Sequence, residues 1–357
     1  MIQENTNERK KIMFKRYKST KGITLVALVI TIIILLILAT ISIQSLTNTG
    51  LFAKAQEAKE KTKNAEENQA KTLNEYEDEL NKYISGNVKI PEKIIDVEQG
   101  AESHISGVIS YSWIELSAIA QKISDNVDIS SNTAEVNVTL NGTVKSLGVG
   151  DIATVDGKTV RILGFNHDTL TDTNAYGTKT ETGKAGISFE YVDFITSSYQ
   201  QMNSENTNTN GWVAMPLRTT LNGTVYDSLS IKNYIKAVNK EYITTYNNGA
   251  KSTCSDKLWL LSCGEIWNNG YNGGNTRGYA MATEGSQYKY YKINLGSTSY
   301  RNSTNVTKKP NTSSSYYWWL RSPGYSGSNR FCLVDSGGYC SHNDASNDYG
   351  VAPGFSI

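Results

Sequence analysis

The chain has 357 residues, a formal net charge of +1 and 19% charged residues, which is enough for one large or two modest domains beside a short N-terminal element. Basic residues concentrate in residues 1–22 and the remainder is slightly acidic. This distribution argues against a nucleic-acid-binding protein, because such proteins present a basic face. After residue 100 the chain is rich in Gly, Ser, Thr, Asn and Tyr, a composition more typical of a loop-rich extracellular domain than of a cytosolic enzyme.

An apolar run, ITLVALVITIIILLILATISI, occupies residues 23–43 and contains no charged residue. A helix of this length is about 30 Å long, which matches the hydrocarbon core of a bilayer. The run is too long for the apolar core of a secretory signal peptide. Because basic residues precede it, the positive-inside rule places residues 1–22 in the cytoplasm. We therefore predict a single-pass transmembrane helix in the cell membrane, with an extracellular C-terminus.

The polar segment that follows, residues 44–84, is predicted to be a stalk helix. It is dense in Ala, Lys, Glu, Gln and Leu, which are strong helix formers. Its apolar positions form only a thin stripe, so an ordinary juxtamembrane helix is the alternative interpretation. Residues 85–104 are predicted to be a linker.

The sequence KGITLVALVI around the start of the apolar run resembles the prepilin cleavage and methylation signal of type IV pilins and pseudopilins. In that family the basic leader ends in Gly, which corresponds to Gly22, and Ile23 corresponds to the mature N-terminus. The resemblance implies cleavage by a prepilin peptidase. It also implies association with other pilin subunits, with a pilus as an alternative location to the cell membrane. Ala27 stands where the family usually has a Glu that pairs with a neighbouring subunit, and a carboxylate in lipid is kept only for a partner. We therefore expect a minor or non-polymerising subunit.

The first part of the exterior region, residues 105–158, is predicted to contain one helix and several strands. The segment WIELSAIAQKIS at 113–124 has its apolar residues at helical spacing. Strand-like segments follow it, and the pairs Asn141-Gly142 and Asp156-Gly157 indicate hairpin turns.

Residues 159–357 are predicted to form one unit. Helices are expected near residues 215–221 and over residues 229–239, and a buried strand at 257–262. The Trp318-Trp319-Leu320-Arg321 segment is predicted to lie in the core. Adjacent residues in a strand point to opposite faces, so one Trp is expected to be buried and the other can reach the surface. Arg321 is expected to form a salt bridge, for instance to Asp256 or Glu265.

Four segments of this unit, GWVAMPLRTTLN, DKLWLLSCGEIW, YYWWLRSPG and GVAPGFSI, recur in this order in an uncharacterised family of bacterial surface and phage proteins. The chain resembles that family over residues 140–357. The closing block is similar to the end of C-type-lectin-like domains, including formylglycine-generating-enzyme relatives and the variable proteins of diversity-generating retroelements. The resemblance implies an α+β protein: a pilin-type transmembrane and stalk helix, then a mixed α+β extracellular domain with a C-type-lectin-like fold. In that fold the terminal strand, near residues 351–357, returns to pair in the central sheet.

The segment 325–349, YSGSNRFCLVDSGGYCSHNDASNDY, has the composition of an antibody combining site, because Tyr supplies rigid contact area and Ser, Gly and Asn supply adaptable hydrogen bonds. It also fits adenine-directed codon randomisation, so the last 40 residues are candidates for diversification. The alternative is an ordinary polar hairpin with Ser336-Gly337-Gly338 as its turn. The predicted ligand-binding residues are Tyr325, Ser328, Asn329, Phe331, Asp335, Tyr339, Ser341, His342, Asn343 and Asp344.

The remaining chemistry-bearing residues do not form a recognisable catalytic motif. His104, and His167 next to Asp168, are interpreted as structural, since no Ser-His-Asp set or phosphate-binding glycine loop is apparent. The four cysteines contain no C-x-x-C pair, so they are expected to be thiols or to form local bridges, Cys254–Cys263 or Cys332–Cys340. We predict no metal, no cofactor and no enzymatic activity.

Together these features predict a cell-surface, pilin-like adhesion protein that displays a ligand-binding head for an unknown protein or glycan. The first alternative is a structural minor pilin or pseudopilin whose head is a spacer. The second is an enzyme of the formylglycine-generating type.

Overall fold

The computed structural model describes residues 27–41, 54, 58–65, 95–245, 250–267, 284–296, 304–310, 314–324 and 327–357. The chain divides into two compact units, Met1–Glu92 and Lys93–Ile357; we call the second unit the head. In the first unit, residues 27–41 and 58–65 are helical. The predicted leader, with the processing residues Gly22 and Ile23, lies outside the described residues, so its cleavage stays a prediction.

The predicted fold class is wrong. Within the described ranges, no helix is long and apolar enough to cross a membrane. The head consists mainly of small antiparallel sheets with a few short helices, and not of the mixed α+β arrangement that the resemblance implied.

The first sheet has the strand order β1-β2-β3, with β1 (Ile95–Gln99), β2 (Glu135–Leu140) and β3 (Thr143–Gly148). Strand β1 lies inside the range predicted as a linker. The predicted turn at Asn141-Gly142 is confirmed, because both residues have the positive φ, 51° and 80°, that a type I′ turn requires.

Helix α1 (Trp113–Ser124) confirms the helix predicted at 113–124. A capping box starts it: the Ser112 side chain accepts from the Glu115 backbone, and the Glu115 carboxylate accepts from the Ser112 backbone. Its buried face carries Leu116, Ile119 and Ile123, at the spacing that lets one side of a helix face the core.

The second sheet has the strand order β14-β6-β5-β4, with β4 (Ile152–Val155), β5 (Lys158–Phe165), β6 (Ile187–Tyr191) and β14 (Gly354–Ser356). The predicted turn at Asp156-Gly157 joins β4 to β5. The prediction that the C-terminal segment returns to a sheet is confirmed, because β14 pairs antiparallel with β6. Phe189 and Phe355 stack where these two strands meet, with ring centroids 5.2 Å apart.

The remaining strands are β7 (Gln200–Gln201), β8 (Val238–Ile243), β9 (Lys251–Asp256), β10 (Trp318–Pro323), β11 (Arg330–Val334), β12 (Cys340–Asp344) and β13 (Asp348–Tyr349). The third sheet, of order β10-β11-β12, contains the predicted polar hairpin. Two two-stranded sheets accompany it, β7–β13 and β8–β9.

Short helices connect these strands. They are α2 (Pro216–Thr220), α3 (Tyr226–Ser228), α4 (Cys263–Trp267) and α5 (Lys289–Leu295), with 3-10 turns at Trp212–Ala214 and Thr304–Val306 and a π-helical segment at Leu221–Val225.

The sequence predictions for this part are met unevenly. The helix expected near 215–221 is confirmed by α2, but the helix expected over 229–239 is wrong, because that segment forms turns and then enters β8. The predicted strand at 257–262 is buried, yet its only ladder contact among the described residues is the bridge between Trp259 and Gly354. The prediction that the Trp318–Arg321 segment lies in the core is confirmed, but both Trp318 and Trp319 are fully buried, where only one of them was expected to be.

Candidate functional site

Lys240, on β8, lies at the centre of a buried charge network. Its Nζ is 2.7 Å from Asp168 Oδ1 and 2.6 Å from Glu265 Oε1, and it also donates to the Tyr288 hydroxyl at 3.0 Å. The Arg321 guanidinium, on β10, donates to both oxygens of Glu265 at 2.6 and 2.9 Å. The predicted salt bridge of Arg321 is therefore made to Glu265. The charges of these two cations and two carboxylates sum to zero. We call the four groups the charge network.

The two carboxyls of the network are held ionised. Burial alone would raise the pKa of Asp168, but the Lys240 ammonium holds that pKa well below its usual range. Burial likewise opposes ionisation of Glu265, and Arg321 together with Lys240 lowers its pKa. The charges are therefore committed to one another.

A polar pocket of about 330 Å³ opens above the charge network. Its lining combines charged and hydrogen-bonding side chains: His167, Asp168, Thr169, Lys184, Asn239, Lys240, Glu241, Lys251, Glu265, Gly285 and Ser286. The volume lies at the lower end of small-molecule sites, but such sites are usually mostly apolar.

His167 forms one wall of the pocket. Its ring stacks on Tyr288 with centroids 4.0 Å apart, and burial lowers its pKa, so the imidazole is neutral at pH 7. Its Nε2 lies 3.4 Å from Ser286 Oγ, which is long for proton transfer. Nδ1 has no hydrogen-bond partner among the described residues. The pair therefore lacks the orienting carboxylate of a Ser-His-Asp triad.

His104 is placed away from this pocket, between two acids. Its Nδ1 lies 2.6 Å from Glu135 and its Nε2 lies 2.7 Å from Asp151. Burial opposes the charged form, but these hydrogen bonds raise the pKa of His104. This arrangement ties the segment before α1 to β2 and to the start of β4.

The predicted ligand-binding residues fall on and around the β11–β12 hairpin, and the structure separates them. Phe331 is fully buried, so it is a core residue and does not contact a ligand. Tyr325 lies outside the described residues. Asp335 closes the turn by accepting from the backbone of Gly337 and Tyr339, each at 2.9 Å. The Tyr339 side chain is 44% exposed.

The other predicted residues are at the surface. Ser328 is exposed, and five more are partly exposed: Asn329, Ser341, His342, Asn343 and Asp344. Asp344 pairs with Arg330 at 3.1 Å. Asn343 Nδ2 donates to the hydroxyl of Tyr349 at 2.5 Å. This last contact connects the hairpin to a larger aromatic cluster.

Four tyrosines form that cluster, which we call the tyrosine surface: Tyr199, Tyr316, Tyr317 and Tyr349. Tyr199 stacks on Tyr316 with ring centroids 4.5 Å apart. Tyr316 contacts Tyr317 at 5.5 Å, and Tyr317 contacts Tyr349 at 5.5 Å. Tyr199 is 37% exposed and the other three are partly exposed.

The backbone brings these tyrosines together from three parts of the chain. Strand β13 pairs with β7, so Tyr349 lies opposite Gln200, next to Tyr199. Tyr316 and Tyr317 lie just before β10. None of the four was among the predicted ligand-binding residues, although Tyr349 ends the predicted segment 325–349. The signal available was the Tyr316-Tyr317 pair directly before the two tryptophans.

Comparison with known proteins finds a match to a family model. No curated protein matches the chain, and no solved structure matches it. Residues 182–357, which contain the tyrosine surface and most of the charge network, are similar to a family described as a domain of unknown function, DUF6273.

Proposed function

We propose that the head is a binding module that recognises a protein ligand through its tyrosine surface. The observation that carries the proposal is the continuous contact of four partly exposed tyrosine rings, from Tyr199 to Tyr349. Tyrosine is enriched in protein interfaces because it offers a large apolar ring and a polar hydroxyl with few rotatable bonds.

The tyrosine surface is supported from below. Trp319 is fully buried and its ring meets Tyr349 edge-on at 4.9 Å. Its indole N–H donates to the Gln200 carbonyl at 2.8 Å, next to Tyr199. The rings therefore have little freedom to lose when a ligand binds, and this lowers the entropic cost of association.

The hairpin extends this surface, which gives the sequence-predicted residues a role. Ser341 and Asn343 are two apart on β12, so their side chains leave the same face of the strand. Asn343 reaches Tyr349, so the polar face of β12 continues into the tyrosine surface. Ligand contacts are therefore expected from Ser341, Asn343 and the four tyrosines.

The alternative functions have less support. In the polar pocket Asp168 and Glu265 are paired with Lys240, and Glu241 is paired with Lys251 at 2.9 Å. Among the described residues, His167 has no hydrogen bond to a carboxylate. A nucleophile with an activating base is the usual requirement for covalent catalysis. A purely structural head would not need four partly exposed aromatic rings in one place.

The test is to select binders to the wild-type protein from a displayed library of small random-sequence protein domains. Each binder is then measured against Tyr316→Ala and Tyr349→Ala. Interface tyrosines at the centre of a contact surface often act as hot spots, so we expect most binders to lose at least tenfold in affinity. Tyr226→Ala is the matched control, because that partly buried tyrosine donates to the Lys232 carbonyl away from the tyrosine surface.

Binders that are indifferent to both variants would contradict the proposal. An immobilised glycan array forms a second arm of the test. A glycan bound by the wild type and lost in the same two variants would keep the site but replace the protein ligand with a sugar. Far-UV circular dichroism of each variant shows whether the fold is retained.

A further inference from the structure

Three cysteines from distant parts of the chain meet in the core of the head. Cys263 begins α4, Cys332 lies on β11 and Cys340 begins β12. Their sulfurs all lie within 4.8 Å of one another, and Cys263 Sγ is 3.6 Å from Cys340 Sγ. All three are buried.

The spacing of the sulfurs matches that of ligands around one ion. Two sulfurs bound to zinc at about 2.3 Å lie roughly 3.8 to 4.0 Å apart, in tetrahedral or trigonal geometry. The Cys263–Cys340 separation of 3.6 Å is close to this range, and all three sulfurs lie within 4.8 Å of one another. A disulfide would require about 2.05 Å, and all four cysteines of the chain are thiols in the structure. Of the two expectations for the cysteines, the thiols are confirmed, and the bridges Cys254–Cys263 and Cys332–Cys340 are not formed.

We propose that Cys263, Cys332 and Cys340 bind a thiophilic metal ion of the Zn²⁺ or Cu(I) class as a structural site. Thiolates are the protein ligands that these soft ions prefer. Three ligands suit a three-coordinate Cu(I), whereas Zn²⁺ would take a further ligand to complete its usual tetrahedron. Binding releases the protons of the three thiols, so the site strengthens as the pH rises.

The surroundings hold Cys263 in place for this role. Its backbone N–H donates to Ser322 Oγ at 3.0 Å, and Ser322 in turn shares a hydrogen bond with the Glu284 carboxyl. Such contacts behind a ligand fix its orientation. On the other side, β11 and β12 are paired in register, with Val334 opposite Cys340. An ion here would fasten the hairpin to α4.

The fourth cysteine provides a matched control. Cys254 is buried like the others, but its Sγ contacts the Lys240 carbonyl and the Asp256 carboxylate. It does not belong to the three-thiol cluster. A cysteine-to-serine change at Cys254 therefore removes a buried thiol of the same chain without touching the proposed ligands.

The experiment uses the purified full chain, reduced with a non-thiol reductant and freed of metal by a chelator. Zn²⁺ and Cu(I) are added in separate arms, and the ion retained after desalting is measured by elemental analysis. We expect one equivalent of one ion per chain. The variants Cys263→Ser, Cys332→Ser and Cys340→Ser should each bind it at least 100-fold more weakly, and Cys254→Ser should bind it as the wild type does.

Alkylation of the wild-type chain keeps the test independent of variant folding. The ion should slow the modification of Cys263, Cys332 and Cys340, read by mass spectrometry of peptides, and leave Cys254 unchanged. Retention of neither ion by the reduced wild type would overturn the proposal. Equal loss of the ion in Cys254→Ser, or equal protection of all four thiols, would also overturn it.

Discussion

The charge network and the tyrosine surface are both built from residues far apart in sequence, but they differ in their access to water. Lys240 and Arg321 are fully enclosed and bound to carboxylates on short contacts. The tyrosine rings contact one another and keep part of their surface exposed. The comparison separates groups that specify the fold from groups that remain available for a partner.

The physical reason is the cost of an unpaired buried charge. Removing one member of the charge network leaves its partner without compensation in a low-dielectric interior, which is strongly destabilising. Removing a ring from the tyrosine surface loses mainly a ring contact, because these side chains are partly exposed. Substitutions in the charge network should therefore lower the free energy of unfolding strongly, and substitutions in the tyrosine surface should lower it only slightly.

The largest expected effect is that of Arg321→Ala. Besides Glu265, this guanidinium donates to the carbonyls of Glu241 and Leu260, so the change leaves several buried acceptors unpaired. We expect a loss of about 3–5 kcal/mol in the free energy of unfolding, measured by urea denaturation. Arg330→Ala is the control: its side chain is 42% exposed, and its pair with Asp344 should contribute about 1 kcal/mol or less. Equal losses in the two variants would show that the buried charge network contributes no more to stability than an exposed ion pair.

A smaller, pH-dependent effect is expected from Glu284, whose carboxyl accepts from the Ile243 backbone N–H at 2.6 Å. Burial raises its pKa from 4.5 to about 7. A raised carboxyl pKa favours the folded state at low pH, and this contribution disappears as the pH rises from about 4.5 through 7. Between pH 5 and 8 the wild type should lose on the order of 3 kcal/mol from this group.

Glu284→Gln replaces the carboxyl with a neutral group of the same shape. The variant should show a correspondingly smaller fall in stability between pH 5 and 8, measured by urea denaturation at both values. The difference between the two proteins isolates Glu284 from the other titrating groups. Parallel pH profiles would show that this carboxyl titrates normally in the folded head.

The smallest effect is expected at the tyrosine surface. Tyr199→Ala removes one stacked ring that is 37% exposed, and such an aromatic pair contributes about 1 kcal/mol. Thermal and urea unfolding of the variant should therefore remain close to those of the wild type. Tyr291→Phe is the internal control, since it removes a buried hydroxyl that donates to Glu190 at 2.8 Å. A larger loss at Tyr199 than at Tyr291 would place the tyrosine surface in the structural core.

Sequence periodicity found the local elements well. Helix α1 and the turns at Asn141-Gly142 and Asp156-Gly157 follow from apolar spacing and from residues that tolerate positive φ, and these signals lie within a dozen residues. The segment at 229–239 was mispredicted because its apolar residues pack as turns against the core, which no local pattern records. The transmembrane helix at residues 23–43 was predicted from the composition of the apolar run alone.

The candidate sites could be recognised only from the fold, because their residues are distant in sequence. Tyr199 and Tyr349 are distant in sequence, and the pairing of β7 with β13 brings them to one surface. The three-thiol cluster was hidden for the same reason: Cys263 and Cys340 are 77 residues apart, a spacing that no short metal motif has. The salt bridge of Arg321 could be predicted because a charged residue in a core strand, two residues after Trp319, requires a buried partner.

The pairing of β14 with β6 has a consequence for how the head is made. Ser188 and Ser356, whose hydroxyls lie 3.0 Å apart across these strands, are separated by 168 residues. A ribosome adding about 5–20 residues per second needs roughly ten seconds or more to bridge that interval. Throughout it, one edge of β6 stays unpaired and Phe189 lacks Phe355. The nascent head therefore exposes an unpaired, aggregation-prone edge of β6 until β14 has been synthesised. This is the stage at which a chaperone would protect it.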